Sequence, residues 1–103
     1  MDGYRLVFST IRGRKHDNLQ VHEWLIAKAK EIGIEGVTVI AALEGYGKNK
    51  TLHSADYFEL VDEPLEVIIL TDEKKCDLLF RIIKEDNLNI FYSKSKAEFG
   101  FTL

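Results

Sequence analysis

The chain has 103 residues, of which 46% are hydrophobic and 30% charged, as in an ordinary globular domain with one hydrophobic core. Its 17 acidic side chains outnumber its 14 lysines and arginines, and the formal net charge of −3 argues against general affinity for the phosphate backbone of nucleic acids. We therefore predict a single domain over residues 1–103 that does not bind nucleic acid.

The sequence gives no sign of a membrane span or of export. No apolar run reaches the ~20 residues of a membrane-spanning helix. The first residues, "MDGYRLVFST", lack the basic segment followed by an apolar segment that marks an export signal. Cys76 is the only cysteine, so no internal disulfide can form and a reducing compartment is favoured. These features predict a cytoplasmic protein.

The first half of the chain predicts a strand, a helix and a second strand. Tyr4–Ile11 is short, rich in β-branched and aromatic residues, and followed by a glycine-containing segment. Asp17, with Gln20 three residues later, predicts the start of a helix of about fifteen residues that ends at Gly33. Gly36–Leu43 is almost continuously apolar, which favours a central or doubly covered strand over a solvent-facing one.

The second half repeats this pattern of elements. Ala55–Leu70 predicts extended chain interrupted near Pro64, because proline donates no hydrogen bond to a strand ladder. Asp72 predicts the N-cap of a second helix that ends near Asn87, and the remaining residues predict one or two short strands. The order of elements predicts an α+β fold, the ferredoxin-like βαββαβ split sheet with both helices on one face.

This topology brings separate segments of the chain together at one edge of the sheet, the one at which strands one and two end. Strands one and two run in the same direction, because the helix carries the chain back between them. The segments that follow them, Arg12–Asp17 and Glu44–His53, contain five basic and two acidic side chains, a local charge of +3. Unpaired N–H groups at a helix N-terminus, and at Gly45 and Gly47, suit a phosphate or carboxylate. A flexible hairpin connection remains the alternative.

Residues 43–86 resemble the PII-like family that is catalogued as a domain of unknown function, and the resemblance extends upstream to about Ala27. The matching residues are Gly45, Tyr46, Gly47, His53, Ser54, Ala55, Pro64 and the helix start "TDEKK". The same stretch is more distantly similar to the nitrogen-regulatory PII proteins, in which Gly-Phe-Gly opens a loop that contacts nucleotide and partner. The resemblance implies a PII-like fold, a homotrimer, and a non-enzymatic sensor or regulatory protein.

The resemblance also implies where a ligand binds. Gly45–Thr51 would form the base of the effector loop, with Tyr46 at its aromatic position and lysines near phosphates. Together with the basic edge, the predicted ligand-binding residues are Arg12, Arg14, Gly45, Tyr46, Gly47, Lys48, Lys50 and His53. The ligand would be a small anion, whether a nucleotide or another, or a regulatory protein partner.

The chain departs from the nitrogen-regulatory PII proteins after the second helix. Those proteins carry a phosphate loop with glycine and lysine there, whereas this chain has "KEDNLNIFY", with acidic Glu85 and Asp86. Nothing downstream resembles the paired arginines of their C-terminal region. The resemblance therefore does not extend to ATP binding of the PII kind.

The sequence contains no recognisable catalytic constellation. His16, His22 and His53 are scattered, without the spacing of metal ligands and without a visible nucleophile–base pair. We predict no catalytic residue, no metal and no cofactor. The alternative is a small-molecule enzyme of ferredoxin-like fold that uses the same basic edge. An RNA-recognition domain is disfavoured because the central strand "GVTVIAAL" has neither aromatic nor charged residues.

Apolar strand segments predict self-association. The segments "VIIL" and "FGF" offer more apolar surface than two helices on one sheet face can cover, so the other face needs a partner. The family resemblance makes that partner two further copies of the chain, which gives a homotrimer.

Overall fold

The computed structural model describes residues 1–46, 52–54 and 63–103. In chain order its elements are β1 (Asp2–Ile11), β2 (Lys15–His16), β3 (Leu19–Gln20), α1 (Val21–Glu31), β4 (Gly36–Ala41), β5 (Glu44–Tyr46), β6 (Leu52–Ser54), β7 (Pro64–Thr71), α2 (Glu73–Glu85) and β8 (Phe91–Glu98). The predicted strand, helix, strand, strand, helix and strand correspond to β1, α1, β4, β7, α2 and β8. The ferredoxin-like prediction is therefore confirmed.

The four long strands form one antiparallel sheet in the order β4, β7, β1, β8. The central strand β1 pairs with β7 on one side and β8 on the other, so that Leu6 lies opposite both Ile69 and Lys94. Because β1 and β4 are both antiparallel to β7, they run in the same direction. Their C-terminal ends therefore lie at the same end of the sheet, as the topology predicted.

The hydrophobic core lies between one face of the sheet and the two helices. Alternate residues of the central strands point to this face, and Leu6, Phe8, Val67 and Ile69 are completely buried. The helices add residues at helical spacing. The core consists of Leu6, Phe8, Val21, Trp24, Leu25, Ala29, Ile34, Val67, Ile69, Cys76, Leu79, Ile83 and Leu88.

The other face of the sheet, which we call the open face, carries the remaining alternate residues of the strands. The strand register places Ile40, Leu70 and Phe91 on this face. Their side chains are 45%, 38% and 76% exposed. No helix among the described residues covers them, so large apolar side chains on this face are in contact with solvent.

Helix α1 begins later than predicted. Asp17 is not its N-cap, because Asp17 and Asn18 have φ values of 51° and 66° and connect β2 to β3, as in a type I′ hairpin turn. The N-cap is Gln20, whose backbone N–H donates to the Glu23 carboxylate at 3.3 Å in a capping box. The turn takes Asp17 because Asp and Asn accept the left-handed conformation at low cost.

The other predicted elements differ in smaller ways. The Asp72 side chain caps α2 by accepting from the Lys75 N–H at 2.8 Å, as predicted. Strand β4 lies at the edge of the four-stranded sheet rather than at its centre and pairs only with β7 in that sheet. The C-terminal segment forms the single strand β8. Of the predicted extended segment, residues 55–62 lie outside the described residues.

In the part of the chain that the structure describes, neither helix is long and apolar enough to cross a membrane. Cys76 lies on the buried side of α2 with no exposed surface. Burial raises the pKa of its thiol from the ordinary value, while the nearby Lys94 opposes this shift. The thiol therefore stays protonated at neutral pH, and its reactive thiolate is scarce.

We predict that Cys76 is unreactive in the native protein. A thiol that is buried and protonated should react with an aromatic disulfide reagent at least about ten-fold more slowly in buffer than in guanidinium chloride. The reaction can be followed by absorbance at neutral pH. Equal rates under both conditions would contradict the position of Cys76 in the core.

Candidate functional site

Pro64, at the start of β7, joins the parts of the predicted ligand site. Pro64 pairs with Ile11 at the end of β1. Its carbonyl accepts at 2.8 Å from the N–H of Ala42, which lies just after β4. Gly45 packs against its ring, because a Cβ built on Gly45 would lie 3.0 Å from the Pro64 Cβ. Arg12 follows Ile11 directly, so the end of β1 and the segment after β4 meet around this proline.

The segment after β4 returns on itself as a short hairpin. Strand β5 pairs antiparallel with β6, and Gly45 lies opposite His53. The side chain of Tyr46 is 67% exposed. The structure thus brings together three of the predicted ligand-binding residues at the base of the loop. The other three loop residues, Gly47, Lys48 and Lys50, lie outside the described residues.

Gly45 is required for space rather than for backbone conformation. Among the described glycines only Gly13 and Gly33 have positive φ. Gly45 lies in β5, where any side chain would press on the Pro64 ring. The ring is rigid and belongs to a buried residue at the start of a strand, so it cannot move aside easily.

Arg12 is bound to a carboxylate of the protein itself. Its Nε and Nη2 atoms donate to Glu63 Oε1 at 3.0 and 2.9 Å, and its backbone N–H donates to the Glu63 carbonyl at 2.8 Å. The Glu63 side chain is only 14% exposed. Glu63 therefore compensates one of the positive charges predicted at this end of the sheet. The sequence did not indicate this partner, because Glu63 is 51 residues from Arg12, just before β7.

Arg14 has a different partner from Arg12. Its Nη2 atom donates to the backbone carbonyl of Asn89, in the segment after α2. Its own carbonyl accepts from the Val21 N–H at 2.8 Å, which ties it to the start of α1. The two predicted arginines thus have separate partners at the two ends of this edge.

A cluster around His16 was not predicted as a site. The His16 Nε2 atom lies 2.6 Å from Asp86 Oδ2, at the C-cap of α2, and 3.7 Å from Asp17 Oδ2. Hydrogen bonding with Asp17, and then with His16, lowers the pKa of the Asp86 carboxyl from its ordinary value. His16 and Asp86 are 70 residues apart in sequence. Their spacing in sequence therefore does not predict the contact. It forms because the β2–β3 hairpin places His16 beside the end of α2.

The structure also has a cleft of about 300 Å³ between α2 and β8. It is lined by apolar and aromatic side chains, with Phe80 and Tyr92 packed edge to face at 4.8 Å. Asn89 is one of its lining residues, and the Asn89 carbonyl accepts from the Arg14 guanidinium. None of the predicted ligand-binding residues that the structure describes lines the cleft itself.

A family model and a relative match this sequence. The model for DUF190, described as "Uncharacterized ACR", matches residues 5–90. A protein of Aquifex aeolicus (strain VF5) named "UPF0166 protein" is 38% identical over 64 residues. That match covers 61% of this chain and 61% of the relative, so the chain spans less than two thirds of the length of this curated relative.

Solved structures of PII-like proteins have the same fold. The nitrogen regulatory PII-like protein CPII from Thiomonas intermedia K12, bound to ADP, AMP and bicarbonate, superposes with a TM-score of 0.69. It is 14% identical, and the match covers 97% of both chains. A protein from Thermus thermophilus named for its likeness to PII signalling proteins has a TM-score of 0.64, with 10% identity over 93% of this chain and 89% of that one. These likenesses establish the fold.

We predict that Gly45→Ala destabilises the protein through its contact with Pro64. The added Cβ must displace a rigid ring, and overpacking of this kind typically costs about 1–3 kcal/mol. Gly36→Ala is the matched control, because no atom lies within 4 Å of a Cβ at this other strand glycine. Denaturant unfolding of both variants measures the difference. Equal stability of the two variants would show that Pro64 does not restrict Gly45.

Proposed function

The chain belongs to the DUF190 family, and from this membership and its PII-like fold we propose that it is a PII-like sensor or regulatory protein without enzymatic activity. It binds a small anionic ligand, or a protein partner, through the segment that follows β4. The observation that carries this proposal is the meeting of the β5–β6 hairpin with the end of β1 around Pro64. That arrangement brings the loop base beside Arg12.

The class of ligand follows from the charges and the backbone at this end of the sheet. Arg14, Lys48 and Lys50 supply positive charge in a protein whose net charge is negative, while the charge of Arg12 is compensated by Glu63. Tyr46 supplies an exposed aromatic ring two residues before Lys48 in the sequence. An aromatic ring with cations suits a nucleotide, a smaller phosphate or a carboxylate. The nucleotides and bicarbonate bound to the Thiomonas protein support the same class of ligand.

We propose that the protein is a cytoplasmic homotrimer assembled through its open face. The exposed side chains of Ile40, Leu70 and Phe91 support this proposal. The strand register also puts Val7 and Ile68 on the open face, directly opposite each other. Burying such a surface between copies would remove apolar area from water at about 25 cal/mol per Å². A closed ring of three copies would bury this face on every copy.

The first prediction from the proposed function concerns Lys48 and Lys50, the lysines of the loop. The double variant Lys48→Ala, Lys50→Ala should lose its binding of ADP, AMP or bicarbonate, whichever binds the unaltered protein at low salt. Its melting temperature should change little, because lysines of a polar loop typically contribute only about 0–1 kcal/mol to stability. Isothermal titration calorimetry and thermal denaturation measure the two effects.

A matched control removes two exposed lysines elsewhere. Lys30→Ala with Lys74→Ala makes the same charge change on the two helices and should leave binding intact. Binding that survives the loop change but not the helix change would move the ligand site away from this loop. Recovery of the bound anion as a reaction product would favour the alternative, a small-molecule enzyme that uses the same edge.

The second prediction concerns assembly. Light scattering after size-exclusion chromatography should give the mass of three chains, and Leu70→Glu should reduce it to that of one chain. A buried unpaired carboxylate at an interface is far costlier than an exposed one. Leu19→Glu is the control, because Leu19 is 40% exposed, like Leu70, but lies in β3 away from the sheet. A monomer before any substitution would refute the trimer.

A further inference from the structure

We propose that His16, Asp17 and Asp86 bind a divalent transition-metal ion, with Zn²⁺ as the representative. Each residue offers one ligand atom, and the three atoms lie within 4.8 Å of one another. Two of the ligands come from the β2–β3 hairpin and the third from the end of α2. The site is separate from the anion site of the proposed function and does not depend on it.

The distances fit a metal ion after a small adjustment. In a tetrahedral zinc site with ligand bonds near 2.0–2.2 Å, neighbouring ligand atoms are about 3.3 Å apart. The His16 Nε2 atom is 3.7 Å from Asp17 Oδ2 and 2.6 Å from Asp86 Oδ2. For an ion to bind between them, the distance from His16 to Asp17 must shorten slightly. The distance from His16 to Asp86 must increase by roughly 0.7 Å to reach the ligand spacing of a zinc site. Side-chain rotation of two aspartates is sufficient for that.

Contacts within the protein position the three metal-binding residues before any ion binds. The His16 ring packs edge to face on Trp24, with centroids 5.0 Å apart, and Trp24 is only 2% exposed. The left-handed turn at residues 17 and 18 fixes the backbone from which the Asp17 side chain extends. The Asp86 backbone N–H donates to the Ile82 carbonyl at 3.0 Å. A preformed ligand set of this kind lowers the entropic cost of binding.

Electrostatics favour a cation at this place. The C-terminus of a helix carries partial negative charge, and basic side chains are the stabilising residues there. Asp86 instead adds a carboxylate at the C-cap of α2, and Asp17 brings a second one. Lys28 is the nearby lysine, but its ammonium group contacts Glu31 at 3.5 Å and the Trp24 ring. A bound dication would balance both carboxylates.

The choice of metal follows from the mixed ligand set. An imidazole nitrogen with two carboxylates suits Zn²⁺, Co²⁺ or Ni²⁺, whereas Mg²⁺ and Ca²⁺ prefer oxygen ligands alone. The carboxylates of Asp17 and Asp86 are 62% and 40% exposed, while His16 is 17% exposed. The metal can therefore enter from solvent and complete its coordination with water.

Binding of Zn²⁺ and Co²⁺ to the full chain, without an affinity tag, tests the proposal. Calorimetry should find one Zn²⁺ per chain, and Co²⁺ should give visible absorption bands, whereas Mg²⁺ at the same concentration should not bind. His16→Gln and Asp86→Asn should each weaken Zn²⁺ binding by at least about ten-fold. His22→Gln is the control, because His22 lies in α1 outside the cluster and should leave binding unchanged.

Asp17→Asn is the variant that keeps the fold while removing a ligand charge. Asparagine accepts the left-handed conformation as readily as aspartate, so the turn and the melting temperature should persist. Its Zn²⁺ affinity should still fall, which separates loss of a ligand from loss of structure. Unchanged Zn²⁺ affinity in Asp17→Asn and His16→Gln, or no binding to the original chain, would overturn the proposal and leave these residues as an ion pair only.

Discussion

The antiparallel pairing of β1 with β7 is the contact on which the rest of the structure depends. Its register buries Leu6 and Phe8 beside Ile69 and Val67 and turns the intervening residues to the open face. A slip of one residue would exchange the two faces and expose the core. The same register ends at Ile11 and Pro64, and it therefore also determines where Arg12 meets Glu63 and where Gly45 packs.

Part of this arrangement could be predicted from the sequence, because it rests on local patterns. The buried stripe of α2 and its Asp72 cap follow from helical spacing and capping chemistry. Asp17 shows the limit of such patterns, since the side chain that caps a helix also favours a left-handed turn. The edge position of β4 was equally hidden, because an almost continuous apolar run looks the same whether the strand pairs on one side or on both.

The candidate sites were less predictable than the fold, because they rest on partners distant in sequence. Gly45 and the basic residues after β1 could be singled out from composition and from the family resemblance. The partner of Arg12 could not, because Glu63 joins it only through the β1–β7 register. The contact between His16 and Asp86 likewise depends on how the β2–β3 hairpin packs against the end of α2. No periodicity in the sequence reports such a contact.

The two arginines of the proposed anion site differ in how firmly their partners within the protein hold them. Separating Arg12 from Glu63 would leave a carboxylate that is 14% exposed without its partner, which costs more than breaking an ion pair between two exposed side chains. Arg14 donates to the Asn89 carbonyl, and a hydrogen bond of a charged donor contributes about 1.5–3 kcal/mol. An arriving anion can therefore take Arg14 from its partner more easily than Arg12.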